Sequence, residues 1–147
     1  MAKAMAAYLQ YSKQGIEELT KMARGGNPFS AMTAMGWMYE NGKGGVTKDE
    51  VKALEWNRMA AEKGEASGMA ALGWMYAYGK ESLARDEGKA VEYYRKAAEK
   101  GDAIGMYHLA SIYETGKAGA PKDLNKALEW YRKAGNAGNE RALKRLK

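Results

Sequence analysis

A four-residue phrase returns at constant spacing along the chain. Gly36-Trp37-Met38-Tyr39 comes back as Gly73-Trp74-Met75-Tyr76 and, loosened, as Ala110-Ser111-Ile112-Tyr113. The tyrosines stand 37 residues apart (76 − 39 = 37 and 113 − 76 = 37). A fixed period of roughly 20–50 residues marks supersecondary units that cannot bury an apolar face alone and must stack.

Within the period the side chains follow helical spacing. Ala31, Met35, Met38 and Tyr39 fall at i, i+4, i+7 and i+8, one apolar stripe. Pro28 suits the first turn of this helix, and Asn41-Gly42 ends it. Thr47-Lys48-Asp49-Glu50 has the form of a capping box for a second helix, which carries Ala53, Leu54, Trp56, Asn57, Ala60 and Ala61 and stops at Gly64. Pro121 is placed to open the corresponding helix of the third repeat. Small residues recur at Ala60/Ala97/Ala134 and Gly36/Gly73/Ala110, which predicts close helix crossings there. The expected organisation is one repeat domain over residues 1–147. Residues 27–63, 64–100 and 101–137 form three repeats, 1–26 a capping helix or half repeat, and 138–147 a C-terminal capping helix.

Composition narrows the chemistry. The 147 residues include 18 glycines, many at repeat-equivalent positions, and no cysteine. That excludes disulfides, thiolate metal sites and a cysteine nucleophile. With no apolar leader in the first residues, a cytoplasmic location is expected. No stretch approaches the ~20 apolar residues of a membrane span. His108 is the single histidine, so no histidine-rich metal site can form, and no cofactor motif is present. Gly42-Lys43-Gly44-Gly45 lacks the spacing of a phosphate-binding loop. A formal charge of +6 favours acidic partners modestly.

Small-x3-Leu-Gly-x2-Tyr, a glycine turn, an Asp, then Ala-x2-Trp/Tyr-x4-Ala-Ala-x2-Gly resembles the Sel-one-like repeat, a relative of the tetratricopeptide repeat. The residues carrying it are Gly68, Leu72, Gly73, Tyr76, Gly79, Asp86, Ala90, Tyr93, Ala97, Ala98 and Gly101, with their counterparts 37 before and after. The resemblance implies an all-α solenoid of antiparallel helix pairs in a right-handed superhelix, and a role as adaptor or scaffold, with many bacterial examples. It transfers no catalytic residue. The Gly-x-Gly-Val turn is blurred, since Leu83 and Ala120 replace Val46, and Glu81-Ser82 replace Gly44-Gly45.

Function is sought in residues the repeat does not need. Opposite the apolar stripe the first helices carry Thr33, Trp37 and Glu40; Ala70, Trp74 and Ala77; Tyr107, Ser111 and Glu114. In this repeat class the first helices line the concave surface, so Trp37, Trp74 and Tyr107 form a ladder of aromatic anchors, with Asn41, Tyr78 and His108 on its flank. The competing reading is that these tryptophans pack between repeats. Trp56, Tyr93 and Trp130 read as core, as do Tyr39, Tyr76 and Tyr113. Arg58, Arg95 and Arg132, with Lys52, Lys89 and Lys126, read as a solvated basic face, because Glu92–Lys96 and Glu129–Lys133 are i,i+4 pairs. Arg141, Lys144, Arg145 and Lys147 make a basic tail. The expected function is non-catalytic binding of a protein or peptide in the concave groove. Polyanion or nucleic-acid binding through the basic surface comes second, and hydrolysis of a small cell-wall or carbohydrate ligand third.

Overall fold

The computed structural model describes residues 31–43, 46–79, 83–117 and 121–147. The segment 1–26 and Pro28 lie outside the described residues. Among the described residues seven helices follow one another: α1 (Ala31–Asn41), α2 (Glu50–Glu62), α3 (Ala66–Tyr78), α4 (Glu87–Glu99), α5 (Ala103–Thr115), α6 (Leu124–Asn136) and α7 (Glu140–Arg145). The starts of α2, α4 and α6, at 50, 87 and 124, and of α3, α5 and α7, at 66, 103 and 140, each step by 37 residues. Every helix packs on its neighbour in sequence, and α1 also touches α3, as α3 touches α5. Short connections force consecutive helices to run antiparallel. The result is an all-α solenoid of antiparallel helix pairs.

Two turns repeat. Between pairs, Gly64, Gly101 and Gly138 take φ of 82°, 94° and 97°, values that suit only glycine well. The Gly64 N–H donates to Ala61 O at 2.9 Å and the Glu65 N–H to Ala60 O at 3.0 Å, the Schellman pattern, and both later turns reproduce it. The closing residue is also the N-cap of the next helix. Asp102 Oδ2 accepts from Gly105 N–H at 2.8 Å and Asn139 Oδ1 from Ala142 N–H at 2.9 Å. Glu65 makes no such cap, and its Oε2 is buried without a partner among the described residues.

Within pairs, the N–H groups of Asp49, Asp86 and Asp123 donate to the carbonyls of Tyr39, Tyr76 and Tyr113 at 2.8, 2.9 and 2.8 Å. Their carboxylates accept from the N–H of Lys52, Lys89 and Lys126 at 3.1, 3.0 and 3.0 Å. This corrects two expectations. The cap of α2 is Asp49, not Thr47, because Glu50 is already the first helical residue. The cap of α6 is Asp123, with Pro121 outside the helix. The shared aspartate supplies a charge-assisted acceptor at the helix start in all three repeats.

The expected close crossings are present. A Cβ added to Gly68 would lie 2.5 Å from the Ala60 Cβ and 2.9 Å from the Ala61 backbone nitrogen; at Gly105 it would meet the Ala97 Cβ at 2.7 Å. Inside the pairs, Gly36 faces Asn57 and Gly73 faces the Tyr94 ring. Met32, Met35 and Met38 are buried around Trp56. Tyr93 and Trp130, expected as core, are only partly buried: Tyr93 stacks on Tyr76 with centroids 5.7 Å apart, and Trp130 carries the Lys133 ammonium 4.5 Å over its ring. The enclosed aromatics sit one residue later, at Tyr94 and Tyr131, where the first repeat has Asn57. Tyr76 is buried, whereas Tyr39 and Tyr113 are half-buried.

Gly68→Ala should cost about 1–3 kcal/mol, because the obstructing atoms belong to backbone and Cβ and cannot swing away. Gly88→Ala, whose Cβ would meet only Asp86 Oδ1 at 3.4 Å, should instead gain about 0.5–1 kcal/mol through helix propensity. Urea unfolding of the two variants beside the parent reads both signs.

Candidate functional site

The inner positions of the first helices do not behave alike. Thr33 is buried, and Ser67 Oγ donates to its Oγ1 at 3.2 Å. Ala70 is buried too. Tyr107 leans edge-on against Tyr131 at 5.8 Å and His108 at 5.4 Å. The ladder expected over Trp37, Trp74 and Tyr107 therefore stops after two steps. At position 33 the next first helix covers the side chain through Ser67, whereas Tyr107 turns onto Tyr131 of the second helix α6. One helical turn on, Trp37 and Trp74 are half-buried. Each also packs beside the core, Trp37 next to the methionine cluster and Trp74 next to Leu72 and Met75. Both indoles thus pack against core side chains while keeping part of their surface exposed.

Trp37, Trp74 and Glu40 converge on a cavity of about 170 Å³. Its wall continues with Thr33, Asn57, Ser67, Ala70 and Ala71, and with Asp102 and Ile104 from the start of α5. Asn57 is 1% exposed; its Nδ2 donates to Met75 Sδ at 3.5 Å, and its Oδ1 has no partner among the described residues. The Asp102 carboxyl is held above its ordinary pKa by burial, against the opposing pull of the Gly105 and Ile104 N–H groups. Among the described residues no lysine or arginine lines this cavity. The Lys43 ammonium stands 5.7 Å over the Trp37 ring.

Two other expected residues line a second cavity, of about 220 Å³. Tyr78 and His108 meet there with Arg85, Glu87, Tyr94, Ser111 and Lys117. Tyr78 is exposed and tilts against Trp74 at 4.8 Å. His108 stacks on Tyr94 at 4.6 Å, and burial together with Arg141 pushes its pKa down to about 4, so the ring is neutral at pH 7. The Tyr94 hydroxyl is buried without a partner among the described residues; burial, with Tyr78 nearby, raises its pKa well above the ordinary value of 10. Ser111 uses its carbonyl to accept from Thr115 Oγ1 at 2.9 Å. Asn41 and Glu114 join neither cavity. Asn41 Nδ2 donates to Trp37 O at 2.8 Å. Glu114 accepts from the Tyr131 hydroxyl at 3.0 Å and pairs with Arg145.

The basic residues have local partners. Lys52, Lys89 and Lys126 stand over Tyr39, Tyr76 and Tyr113 at 5.4, 5.3 and 5.4 Å, a cation–π contact repeated with the period. Lys96–Glu92 and Lys133–Glu129 pair at 3.1 and 3.4 Å. Arg58, Arg95 and Arg132 are exposed. Among the described residues no three His, Asp or Glu side chains gather as a metal site, and no helix is long and apolar enough to cross a membrane. Sequence reasoning missed Asn57, Asp102 and Ile104. The signal for Asn57 was available in the repeat itself: positions 57, 94 and 131 read Asn, Tyr, Tyr.

Antiparallel helix pairs stacked at a constant 37-residue step define a helical repeat protein. The chain belongs to the Sel1 repeat family, whose repeat model matches residues 29–65, 66–102 and 103–139. These matches keep the 37-residue period. Sel1 repeat proteins are generally protein-interaction scaffolds. The chain is similar to a Sel1 repeat protein of Oxalobacter formigenes, with 39% identity over 90% of this chain and 97% of that one and a TM-score of 0.69. It is similar to c5321, a protective antigen of uropathogenic Escherichia coli displaying an SLR fold, with 34% identity, a TM-score of 0.68, and coverage of 87% of this chain and 27% of that one. Cysteine-rich protein B of Helicobacter pylori matches at 28% identity over 65% of this chain and 71% of its own length, with a TM-score of 0.60. No curated protein matches the chain.

His108 gives a signed pH dependence. Its folded pKa of about 4 lies below the ordinary 6.5, so unfolding takes up a proton between these values. Its contribution to stability is complete above about pH 6.5 and is lost as pH falls toward 4, at most about 3 kcal/mol. Denaturant unfolding across this window should show a shallower pH slope for His108→Phe than for the parent. The carboxylates contribute to both proteins, so the difference isolates the histidine.

Proposed function

We propose that this chain is a non-catalytic interaction module that holds a segment of a partner protein against Trp37 and Trp74. One observation carries the reading: two half-buried indoles from successive repeats, with Glu40, converge on one hollow whose wall surface is mainly apolar. Large aromatic side chains in partly desolvated pockets supply most of the energy at protein interfaces. A hollow of about 170 Å³ falls below the roughly 300–1,000 Å³ of small-molecule sites, so it suits one inserted side chain rather than a cofactor. The basic face offers less. Its lysines are engaged over tyrosine rings in every repeat, an occupation the stack itself explains. The lone histidine is stacked on Tyr94, and among the described residues no hydrogen bond joins it to the Ser111 hydroxyl.

Peptides selected from a random display library on the immobilised parent give the test. Trp37→Ala and Trp74→Ala should each weaken selected peptides by about thirtyfold, the equivalent of ~2 kcal/mol, with helical circular dichroism retained. Arg95→Ala, on the exposed side of α4, should leave affinity unchanged. Peptides that bind both tryptophan variants as well as the parent would remove the groove assignment.

A further inference from the structure

In the third repeat three side chains act as a group. The Tyr131 hydroxyl donates to the Glu114 carboxylate at 3.0 Å, Arg145 pairs with the same carboxylate, and its guanidinium stands 5.9 Å over the Tyr131 ring. One period earlier, positions 131, 114 and 145 read Tyr94, Ala77 and His108. Two of the three keep their arrangement. Tyr94 and Tyr131 are equally enclosed, each 3% exposed. The His108 ring lies over Tyr94 at 4.6 Å, as Arg145 lies over Tyr131. The Tyr94 ring crosses Gly73, and Tyr131 packs with Ala110. Positions 77 and 114 follow one helical turn later, where Glu114 meets the Tyr131 hydroxyl. The member that is gone is the carboxylate, because alanine at 77 ends at Cβ.

Its loss coincides with a hollow and an unused donor. Ala77, Tyr94 and His108 line the same cavity of about 220 Å³. The Tyr94 hydroxyl is buried without a partner among the described residues. Buried polar groups are ordinarily paired, so each exception calls for an explanation. Here the scaffold satisfies the equivalent hydroxyl one repeat later, which shows what its partner looks like: a carboxylate. Arg85 and Lys117, both exposed, also line the cavity, and Arg85 pairs with Glu87 of the same wall. Arg141 acts on His108 from α7. A hydroxyl donor in this setting makes its stronger hydrogen bond to an anion.

We propose that this cavity is a carboxylate-binding site: a carboxylate from outside the chain takes the place that Glu114 holds in the third repeat, accepting from the Tyr94 hydroxyl beside His108, with Arg85 and Lys117 supplying positive charge. The site lies apart from the hollow at Trp37 and Trp74 and stands without the groove reading. Its volume of about 220 Å³ is below the roughly 300–1,000 Å³ of drug-sized ligand sites, so it takes one acid group on a short stem. An acidic side chain of a partner segment and a free small acid share this chemistry.

The test is an NMR titration of the full chain at pH 7 and constant ionic strength. His108 is the single histidine, so its ring resonances report on the cavity without ambiguity. The titrants are acetate, inorganic phosphate, and blocked nonapeptides of glycine and serine with one central glutamate or glutamine. Acetate and the glutamate peptide should give saturable shifts of the His108 and Tyr94 rings, and the glutamate peptide should bind at least tenfold more tightly than the glutamine one. A glutamate peptide tighter than acetate identifies an acidic side chain of a partner; equal affinities identify a free small acid. Tyr94→Phe should weaken both carboxylates at least tenfold. Its denaturant midpoint should equal or exceed the parent's, because it removes an unpaired buried hydroxyl. Ala77→Glu rebuilds the pair of the third repeat within the chain; it should raise the midpoint and abolish the ligand shifts. Shifts that persist in Tyr94→Phe overturn the proposal, as does a glutamine peptide as tight as glutamate or phosphate tighter than acetate. Absence of shifts with both carboxylates overturns it as well and leaves the Trp37 and Trp74 assignment untouched.

Discussion

The stack depends on one approach distance. Where each second helix crosses the first helix of the next repeat, Ala60 and Ala97 meet Gly68 and Gly105 so closely that a single added Cβ would overlap the partner. At the third crossing Ala134 and Ala142 are both fully buried. Close-packed interiors cannot absorb an extra carbon without shifting their surroundings. This crossing holds successive pairs at short range. It thereby allows the larger side chains on either side, the methionines within a pair and the tyrosines at the helix ends, to reach the same partners in every unit.

Around this crossing, two turns keep the period by different chemistry. The turn between pairs is backbone-driven: a left-handed glycine closes one helix, and the next residue both completes the closure and begins the following helix. The turn within pairs is driven by a side chain. An aspartate donates its N–H to a tyrosine carbonyl and offers its carboxylate to the first turn of the next helix. The lysine three residues on lies over that same tyrosine. Tyr39, Tyr76 and Tyr113 are thus held by backbone from one side and by a cation from another. That double role explains why tyrosine is the part of the opening phrase that survives unchanged through all three copies, while the residue two before it varies from tryptophan to serine.

The period, the helix pairs and the small-residue crossings were legible in the sequence because they repeat, and repetition averages out local ambiguity. The helix starts were misread where two acceptable signals compete. Thr47 and Asp49 both offer a side-chain oxygen, and only the backbone path to the Tyr39 carbonyl decides for Asp49. The enclosed face of the second helices was misplaced by one residue, since Trp56 and Asn57 are both buried and a one-position shift exchanges Tyr93 for Tyr94. At the candidate site, angular reasoning brought Trp37, Trp74 and Glu40 together. It could not place Tyr107, whose fate is decided by Tyr131 on another helix. Nor could it supply Asp102 and Ile104, which reach the hollow from a different repeat.

Comparing equivalent positions shows where individuality enters an otherwise periodic object. In the third repeat Glu114 accepts from Tyr131, and Arg145 completes the group. The second repeat keeps the tyrosine and loses the carboxylate: Ala77 stands in place of Glu114, and the Tyr94 hydroxyl is left buried and unpartnered among the described residues. The first repeat keeps the carboxylate, Glu40, and loses the tyrosine to Asn57. The tyrosine–glutamate pair is therefore complete in the third repeat, and each of the other two repeats lacks a different member of it. On the tyrosine side the change leaves the Asn57 Oδ1 buried without a partner among the described residues; on the carboxylate side it leaves a ring without its hydrogen bond. Each buried polar atom left unsatisfied costs about 1–3 kcal/mol, and the intact pair of the third repeat shows that the architecture can avoid this cost. The penalty at Asn57 falls beside the two tryptophans, where the first repeat departs furthest from the other two.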